Sequence, residues 1–348
     1  MLGLLAGLVM AFAAVAATGA TTSSAHAVNG KVCVVVDQSG LGDRAYNDLA
    51  AQGAIQAGKK LHVEVAIPDA ASAADVVANI NAFVTAGNCN LIIGVGFFAG
   101  QLMEPAVAAH PGQRFAVTDY WYSSAYPNVA EVTFRPDQAG FLAGYIAAGT
   151  SLTGKVGTYG GIQIPPVTDF MNGYALGVDY YNARYGAAVE VLGWDVASQI
   201  GLFAGSFNDP VTGKALTEGL FALGADTVFA VAGGTGAGSL DAAAERKAAG
   251  ERVRLVGVDV DWFVQLGGDP AGVLLTSAMK KIDIGVYHQI QALVEGTWQP
   301  GLVVEDLASD GVDIAPFHNL KKQVPGSLSN DLKAIRAGII DETIPTLP

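Results

Sequence analysis

Alternation of short apolar runs with alanine-rich helical stretches restricts the fold of this chain more than any other feature. The runs have the length and composition of buried strands, and from residue 32 onward they follow the order strand, helix, strand. Strands that alternate with helices form parallel sheets, because each helix returns the chain to the edge where the next strand begins. The pattern restarts after residue 134, which predicts two similar α/β lobes.

The predicted elements follow directly from this periodicity. Strands are expected at 32–36, 63–67, 91–95, 114–118, 129–134, 155–159, 188–192, 227–231, 254–258 and 273–277. Helices are expected at 44–59, 72–86, 101–109, 138–148, 167–185, 213–223, 239–249 and 282–295. The tail from residue 301 is less regular, with a closing helix expected near 328–337.

The first 27 residues differ from the rest of the chain. Residues 2–20 are almost wholly apolar or small, and Ala25, His26 and Ala27 form a small-x-small cleavage site. We therefore predict a signal peptide over 1–27 and an exported protein. The alternative is a membrane anchor, because the apolar run is long enough to span a bilayer. The usual basic residues at the start are missing, so we expect the true start to lie upstream.

The charge of the chain excludes several classes of partner. The formal net charge is −13, and no cluster of Lys or Arg occurs. Nucleic acids and anionic membrane surfaces both attract basic patches, so neither is an expected partner.

The two cysteines, Cys33 and Cys89, are not spaced as a metal or redox motif. Each opens a predicted strand, and the two strands would be neighbours in a sheet of order 2-1-3. For an exported protein we predict a disulfide between them, with two buried thiols as the alternative.

Polar and aromatic residues collect at the ends of the predicted strands. Asp37, Asp119 and Asp259 each end an apolar run, and aromatic residues follow two of them. Ligands of open α/β sheets bind at this edge. Carboxylates accept hydrogen bonds from hydroxyls, and aromatic faces stack on flat rings. The combination indicates a ligand with a sugar and a heterocycle, although a lone strand-end Asp such as Asp37 serves equally well as a helix cap or turn residue.

Motifs for other functions are incomplete or missing. The glycine run at 233–238 follows a predicted strand, but Ser239 stands where a dinucleotide fingerprint has its third glycine. No Walker A, G-x-S-x-G or H-E-x-x-H motif occurs, and the five His are scattered. We therefore expect no cofactor, no metal and no enzymatic activity.

Several segments together resemble one family. VVVDQSGLGDRAYN is similar to its D-x-G-G-x-D-D-K-S-F-N segment, and LIIGVGFFAG, FAVTD, FRPDQAGFLAGYIAA, GADTVFAVAGGTGAG, VGVDVD and LLTSAMKK follow in the family order. The chain is identified as a member of the basic membrane protein family of solute receptors, over about residues 31 to 296. The resemblance implies a type I periplasmic binding protein fold, in which two lobes are joined by three crossings and deliver ligand to an ABC permease.

The resemblance also implies roles for individual residues. The ligand-binding set that it implies, together with the strand-end glycines, is Asp37, Tyr46, Asn47, Gly96, Asp119, Phe207, Gly233, Asp259, Trp262 and Lys280. Tyr46 and Phe207 would stack on the base, Asp119 would meet base nitrogens, and Asp259 and Lys280 would hold the ribose. Tyr46 stands where the family has Phe, Trp262 where it often has Gln, and Gly42 where an acid is usual.

The predicted mechanism is closure of the lobes on a nucleoside, and the resemblance implies a purine nucleoside. The lobes would comprise 28–135 plus 279–305 and 136–278 plus 306–348, with hinges near 134–136, 277–280 and 304–306. We expect a monomer that acts with ABC permease subunits, and no lipid-attachment cysteine follows Ala27. The alternatives are a sugar or another small polar solute bound by the same fold, with Trp262 and Tyr120–Tyr122 stacking on it, and a nucleoside hydrolase.

Overall fold

The computed structural model of the protein describes residues 30–269 and 271–348. The predicted signal peptide over 1–27 lies outside the described residues. Among the residues that are described, no helix combines the length and the apolar character needed to cross a membrane.

The strands are short and mostly buried. They are β1 Lys31–Val35, β2 Glu64–Ala66, β3 Leu91–Gly94, β4 Phe115–Thr118, β5 Val129–Phe134, β6 Lys155–Gly160, β7 Glu190–Leu192, β8 Trp194–Asp195, β9 Ile200–Gly201, β10 Thr227–Val231, β11 Arg254–Asp259, β12 Leu274–Lys280, β13 Gly301–Glu305 and β14 Val312–Ile314.

The helices lie between the strands. They are α1 Tyr46–Leu61, α2 Ala73–Ala86, α3 Phe97–Ala109, α4 Pro136–Thr150, α5 Pro165–Tyr185, α6 Pro210–Ala222, α7 Ala237–Ala248, α8 Trp262–Gln265, α9 Ile282–Glu295 and α10 Gly326–Ile340.

Two six-stranded sheets organise the molecule. The first has the order β13-β5-β4-β3-β1-β2, and all its pairs are parallel. The second has the order β14-β12-β11-β10-β6-β7, with only the edge strand β14 antiparallel. We call each sheet with its packed helices a lobe. Parallel sheets need cover on both faces, which explains why Val32 to Val35 in β1 are fully buried.

The chain passes between the two sheets three times. The passages follow Phe134, Lys280 and Glu305, the last residues of β5, β12 and β13. Met279 and Lys280 still pair with Asp313 and Val312 of the second sheet. The division into mobile units at the predicted boundaries stays a prediction.

The predicted disulfide between Cys33 and Cys89 is confirmed. Their Cα atoms are 5.9 Å apart and the bond closes a separation of 56 residues. Val32 in β1 pairs with Leu91 in β3, so the neighbouring strands bring the two cysteines together.

The tail after residue 300 is more regular than the sequence indicated. β13 adds an edge to the first sheet and β14 adds an edge to the second. The side chains of β13 alternate between partly buried and exposed positions up to the buried Glu305, with Leu302 64% exposed. Such a short, half-buried edge strand lacks the continuous apolar run that marks the inner strands. The β8–β9 hairpin, with two residues in each strand, was not predicted from the sequence for the same reason.

Candidate functional site

A cavity of about 290 Å³ lies where the carboxyl ends of the two sheets face each other. Nine of the ten sequence-predicted binding residues line it. The first lobe provides Asp37, Tyr46, Asn47, Gly96 and Asp119, and the second provides Phe207, Gly233, Asp259 and Lys280. Its volume is close to the lower end of the range for small-molecule pockets.

Trp262 does not line this cavity, so its predicted ligand contact is wrong. Its indole nitrogen donates to the Val258 carbonyl at 3.0 Å, and its side chain is 6% exposed. A methyl group on Gly236 or on Gly257 would lie 2.5 Å from the indole ring. Trp262 therefore packs behind the end of β11, where the two glycines leave space for it.

Asp37 has the turn role that the sequence left open, and it also lines the cavity. Its Oδ1 accepts from the Ser39 amide at 2.7 Å and from Asn47 Nδ2 at 2.8 Å. The Asn47 side chain in turn accepts from the Asp37 amide at 3.0 Å. One carboxylate oxygen thus closes the turn, and Oδ2 lies on the side of Gly96, which also lines the cavity.

Two further carboxylates hold the loop that leads into α1. Asp43 accepts from the amides of Ala45, Asn47 and Asp48 at 2.9 to 3.1 Å. Asp48 accepts from the amides of Gly42 and Arg44. Burial raises the pKa of Asp43, although these backbone donors oppose the rise. The loop is therefore fixed by its own side chains, and Gly42, with φ of +85°, supplies a conformation that an acid at this position would adopt only with strain.

Asp119 and Asp259 occupy equivalent positions at the ends of β4 and β11. Both have left-handed backbone conformations, with φ of +57° and +64°. Such conformations cost free energy for a non-glycine residue and are concentrated at functional sites. Each turns its strand end so that the carboxylate faces the cavity from its own lobe.

A hydrogen-bonded network surrounds Asp119. Its Oδ2 accepts from the Tyr46 hydroxyl at 2.7 Å and from Lys280 Nζ at 2.6 Å. The Tyr46 hydroxyl also lies 2.9 Å from Thr118 Oγ1, which accepts from the Gly96 amide at 2.8 Å. Burial, and next the charge of Asp119, raise the pKa of Tyr46 well above its usual value, so the phenol keeps its proton.

Lys280 sits among aromatic rings at the end of β12. Its Nζ lies 5.1 Å from the ring centroid of Tyr46, 5.6 Å from Phe170 and 5.9 Å from Phe134. Only 4% of its side chain is exposed. The rings desolvate the ammonium and their faces attract it, so Lys280 is held in one position. The sequence had left open a surface lysine here, and that alternative is wrong.

Asp259 is the carboxylate of the cavity that lacks a partner. It is 8% exposed, and within the described part of the chain no donor is hydrogen bonded to its side chain. Burial raises its pKa to about 6, against the opposing effect of Lys280. A bound molecule with hydroxyl donors would supply the hydrogen bonds that this carboxylate lacks.

Aromatic side chains line the cavity from both lobes. Tyr46 comes from α1, and Phe207 comes from the loop before α6. The ring of Phe207 covers Gly161, where a methyl group would lie 2.4 Å from Cδ1. Sequence reasoning did not assign Phe170 to the site, although it lines the cavity from the first turns of α5. The two prolines that begin α5 were the available signal, because they place a helix start at a strand end.

The aromatic run Tyr120 to Tyr122 does not line the cavity either. Tyr120 packs edge-on against Phe97 and Tyr122, with centroids 5.1 and 5.2 Å apart. The Tyr122 hydroxyl donates to the Gly100 carbonyl at 2.9 Å. These rings anchor α3 to the end of β4, and the stacking on a pyranose that was the alternative for them is not available from this position.

No metal site accompanies these carboxylates in the parts of the chain that the structure describes. There, His, Cys, Asp and Glu side chains do not form a group of three or more that could hold an ion.

Comparison with known proteins links this geometry to one family. A family model described as a PnrA-like ABC transporter substrate-binding protein, Bmp, matches residues 31–345. An uncharacterized lipoprotein of Pyrococcus abyssi is 29% identical over 310 residues, which cover 87% of this chain and 73% of that protein. The ABC transporter nucleoside-binding protein BmpA of Lactococcus lactis is 27% identical over 297 residues, which cover 82% of this chain and 81% of that protein.

Solved structures share the fold. The crystal structure of an ABC transporter solute-binding protein from Aeropyrum pernix superposes with a TM-score of 0.79 at 27% identity, over 91% of this chain and 94% of that one. A solute-binding protein from Conexibacter woesei superposes with a TM-score of 0.68 at 22% identity, over 92% and 98%. These likenesses confirm the predicted type I periplasmic binding protein fold.

Proposed function

This chain belongs to the Bmp family of PnrA-like ABC transporter substrate-binding proteins, and from that premise we propose that it binds a nucleoside between its lobes and delivers it to the permease. Substrate-binding proteins of ABC importers act outside the cytoplasm and pass a small molecule to permease subunits. The nucleoside assignment is supported above all by the buried Asp259, to which no described residue donates a hydrogen bond, in a cavity that is also lined by aromatic side chains.

The aromatic walls suit the base of the ligand. Tyr46 and Phe207 approach the cavity from different lobes, so a flat ring between them would contact both. Stacking of this kind tolerates different bases, because every base has a π face. Asp119, beside Tyr46, supplies an acceptor for N–H groups at the edge of the base.

Two other acidic residues that line the cavity, Asp259 and Asp37, suit a ribose. Asp259 can accept from two neighbouring hydroxyls, one on each carboxylate oxygen. Asp37 Oδ2 supplies a further acceptor from the first lobe. A ligand held by Asp259 and by Asp37 touches both lobes, so it stabilises the closed arrangement by its differential affinity.

Calorimetric titration with adenosine, guanosine, inosine, uridine and cytidine tests this proposal. We expect binding of at least one nucleoside at a ratio of one to one, with micromolar or tighter affinity and without turnover. Free ribose and glucose should bind far more weakly, because neither fills the space between the aromatic walls. Absence of heat with all five nucleosides, for a protein that melts cooperatively, would contradict the proposal.

A pair of variants locates the site. Asp259→Asn should weaken nucleoside binding by at least about tenfold, since a hydrogen bond to a charged group is lost. Asp261→Asn is the matched control. Asp261 lies two residues further along but pairs with His318 at 2.8 Å and does not line the cavity. Equal losses in both variants would show that the effect is not local to the cavity.

A further inference from the structure

The Tyr46 hydroxyl belongs to a hydrogen-bonded chain with a fixed direction. The Gly96 amide donates to Thr118 Oγ1. The phenol has a single proton, which it donates to Asp119 Oδ2. The Thr118 hydroxyl is therefore the donor in its 2.9 Å contact with the Tyr46 oxygen. Each of the two hydroxyls has a single proton to donate. The Gly96 amide at the start of this series therefore fixes the direction of all its hydrogen bonds.

The two carboxylate oxygens of Asp119 have different hydrogen-bond partners. Oδ2 accepts from both the Tyr46 hydroxyl and the Lys280 ammonium. No described residue donates to Oδ1, and Asp119 lines the cavity. With Oδ2 occupied by two donors, the carboxylate cannot turn without breaking a charge-assisted hydrogen bond. Oδ1 is thus presented to the cavity as an oriented acceptor.

We propose that Tyr46 is a positioning residue for ligand selectivity, which acts through Asp119 to favour nucleosides whose base has a ring N–H over those with a bare ring nitrogen. The inference rests on the proposed nucleoside function and deepens it, because it names 6-oxopurine nucleosides such as inosine and guanosine as the favoured class. A ring N–H completes the hydrogen bonding of Oδ1. A bare ring nitrogen directs a lone pair at a carboxylate oxygen, and neither group is then satisfied.

Inosine and purine riboside are the probes that test this contact. Both have the same ribose and the same bicyclic ring system, and inosine differs by the 6-oxo group and the N–H at position 1 of the purine that accompanies it. Adenosine is less suitable, because its exocyclic amino group is a donor beside the bare ring nitrogen. For the unaltered protein, calorimetry should give an affinity for inosine at least about a hundredfold higher than for purine riboside.

The variant Tyr46→Phe keeps the ring and removes only the hydroxyl. We expect the affinity for inosine to fall by about tenfold, while that for purine riboside changes by less than about twofold. The ratio of the two affinities is the decisive quantity, because a general loss of packing would lower both together. Equal weakening of both ligands, or an unchanged ratio, would overturn the proposal.

Tyr122→Phe is the matched control. It removes another tyrosine hydroxyl with a 2.9 Å hydrogen bond in the same lobe, but Tyr122 does not line the cavity. Its affinity ratio should equal that of the unaltered protein. Thr118→Val provides an independent test, because loss of the Thr118 hydroxyl frees the Tyr46 oxygen and should lower the ratio in the same direction. If the unaltered protein binds no nucleoside, the proposed function fails. If it binds both probes equally, only the selectivity inference fails.

Discussion

Lys280 Nζ and Asp119 Oδ2 lie 2.6 Å apart and join the two lobes across the cavity. The residues are separated by 161 positions in the sequence, and their side chains are only 4% and 5% exposed. A buried pair of this kind has been removed from water, so each charge depends on the other. The pair therefore links the position of β12 in the second lobe to the end of β4 in the first.

Replacing Lys280 should destabilise the unliganded protein strongly. Lys280→Met leaves Asp119 buried without its counter-charge, and we expect the free energy of unfolding to fall by about 3–5 kcal/mol. Urea denaturation followed by circular dichroism measures the change.

Lys281→Met is the neighbouring control for this experiment. Lys281 pairs with Asp310, whose side chain is 68% exposed, and exposed ion pairs contribute at most about 1 kcal/mol. Similar losses for both variants would show that burial of the Lys280 pair has no special effect.

Nucleoside affinity should rise with pH between about 5 and 7. Burial raises the pKa of Asp259 to about 6, so below that pH the free protein holds this carboxyl protonated. Ligand hydroxyls donate to the ionised form, and binding must then release the proton. At pH 5 about one molecule in ten is ionised, which predicts affinity about tenfold lower than at pH 7.

Two variants identify the titrating group. Asp259→Asn should remove the pH dependence. Burial also raises the pKa of Asp169 to about 6, so Asp169→Asn tests a second candidate and should leave the slope intact. If the pH dependence of the affinity persists in Asp259→Asn and disappears in Asp169→Asn, the titrating group is Asp169 in α5 and not Asp259.

Loss of the disulfide should affect stability without affecting binding. Cys33 and Cys89 close a separation of 56 residues, for which the chain-entropy model gives about 4 kcal/mol. Cys89 precedes β3, at the end of the sheet opposite to the cavity. The double variant Cys33→Ala, Cys89→Ala should therefore unfold at lower urea concentration and keep its nucleoside affinity within about twofold. A large loss of affinity in the folded variant would contradict this separation.

Local patterns in the sequence were sufficient for most of the fold. Inner strands such as β1 and β10 are buried on both faces and read as continuous apolar runs. The edge strand β13 and the short hairpin β8–β9 were missed, because a half-buried strand of a few residues has no distinctive composition. The predicted strand order made β1 and β3 neighbours, and the disulfide between Cys33 and Cys89 was predicted from that order.

For the candidate site, the sequence by itself determined that Asp37, Asp119 and Asp259 end their strands, since a carboxylate after an apolar run is a property of neighbouring residues. Only the tertiary structure decided what each side chain contacts. It turned Trp262 behind β11, brought Phe170 into the cavity and placed Lys280 on the same oxygen as Tyr46. These contacts join residues that are distant in the chain, and their geometry depends on how two separately folded sheets pack against each other, which no local pattern encodes.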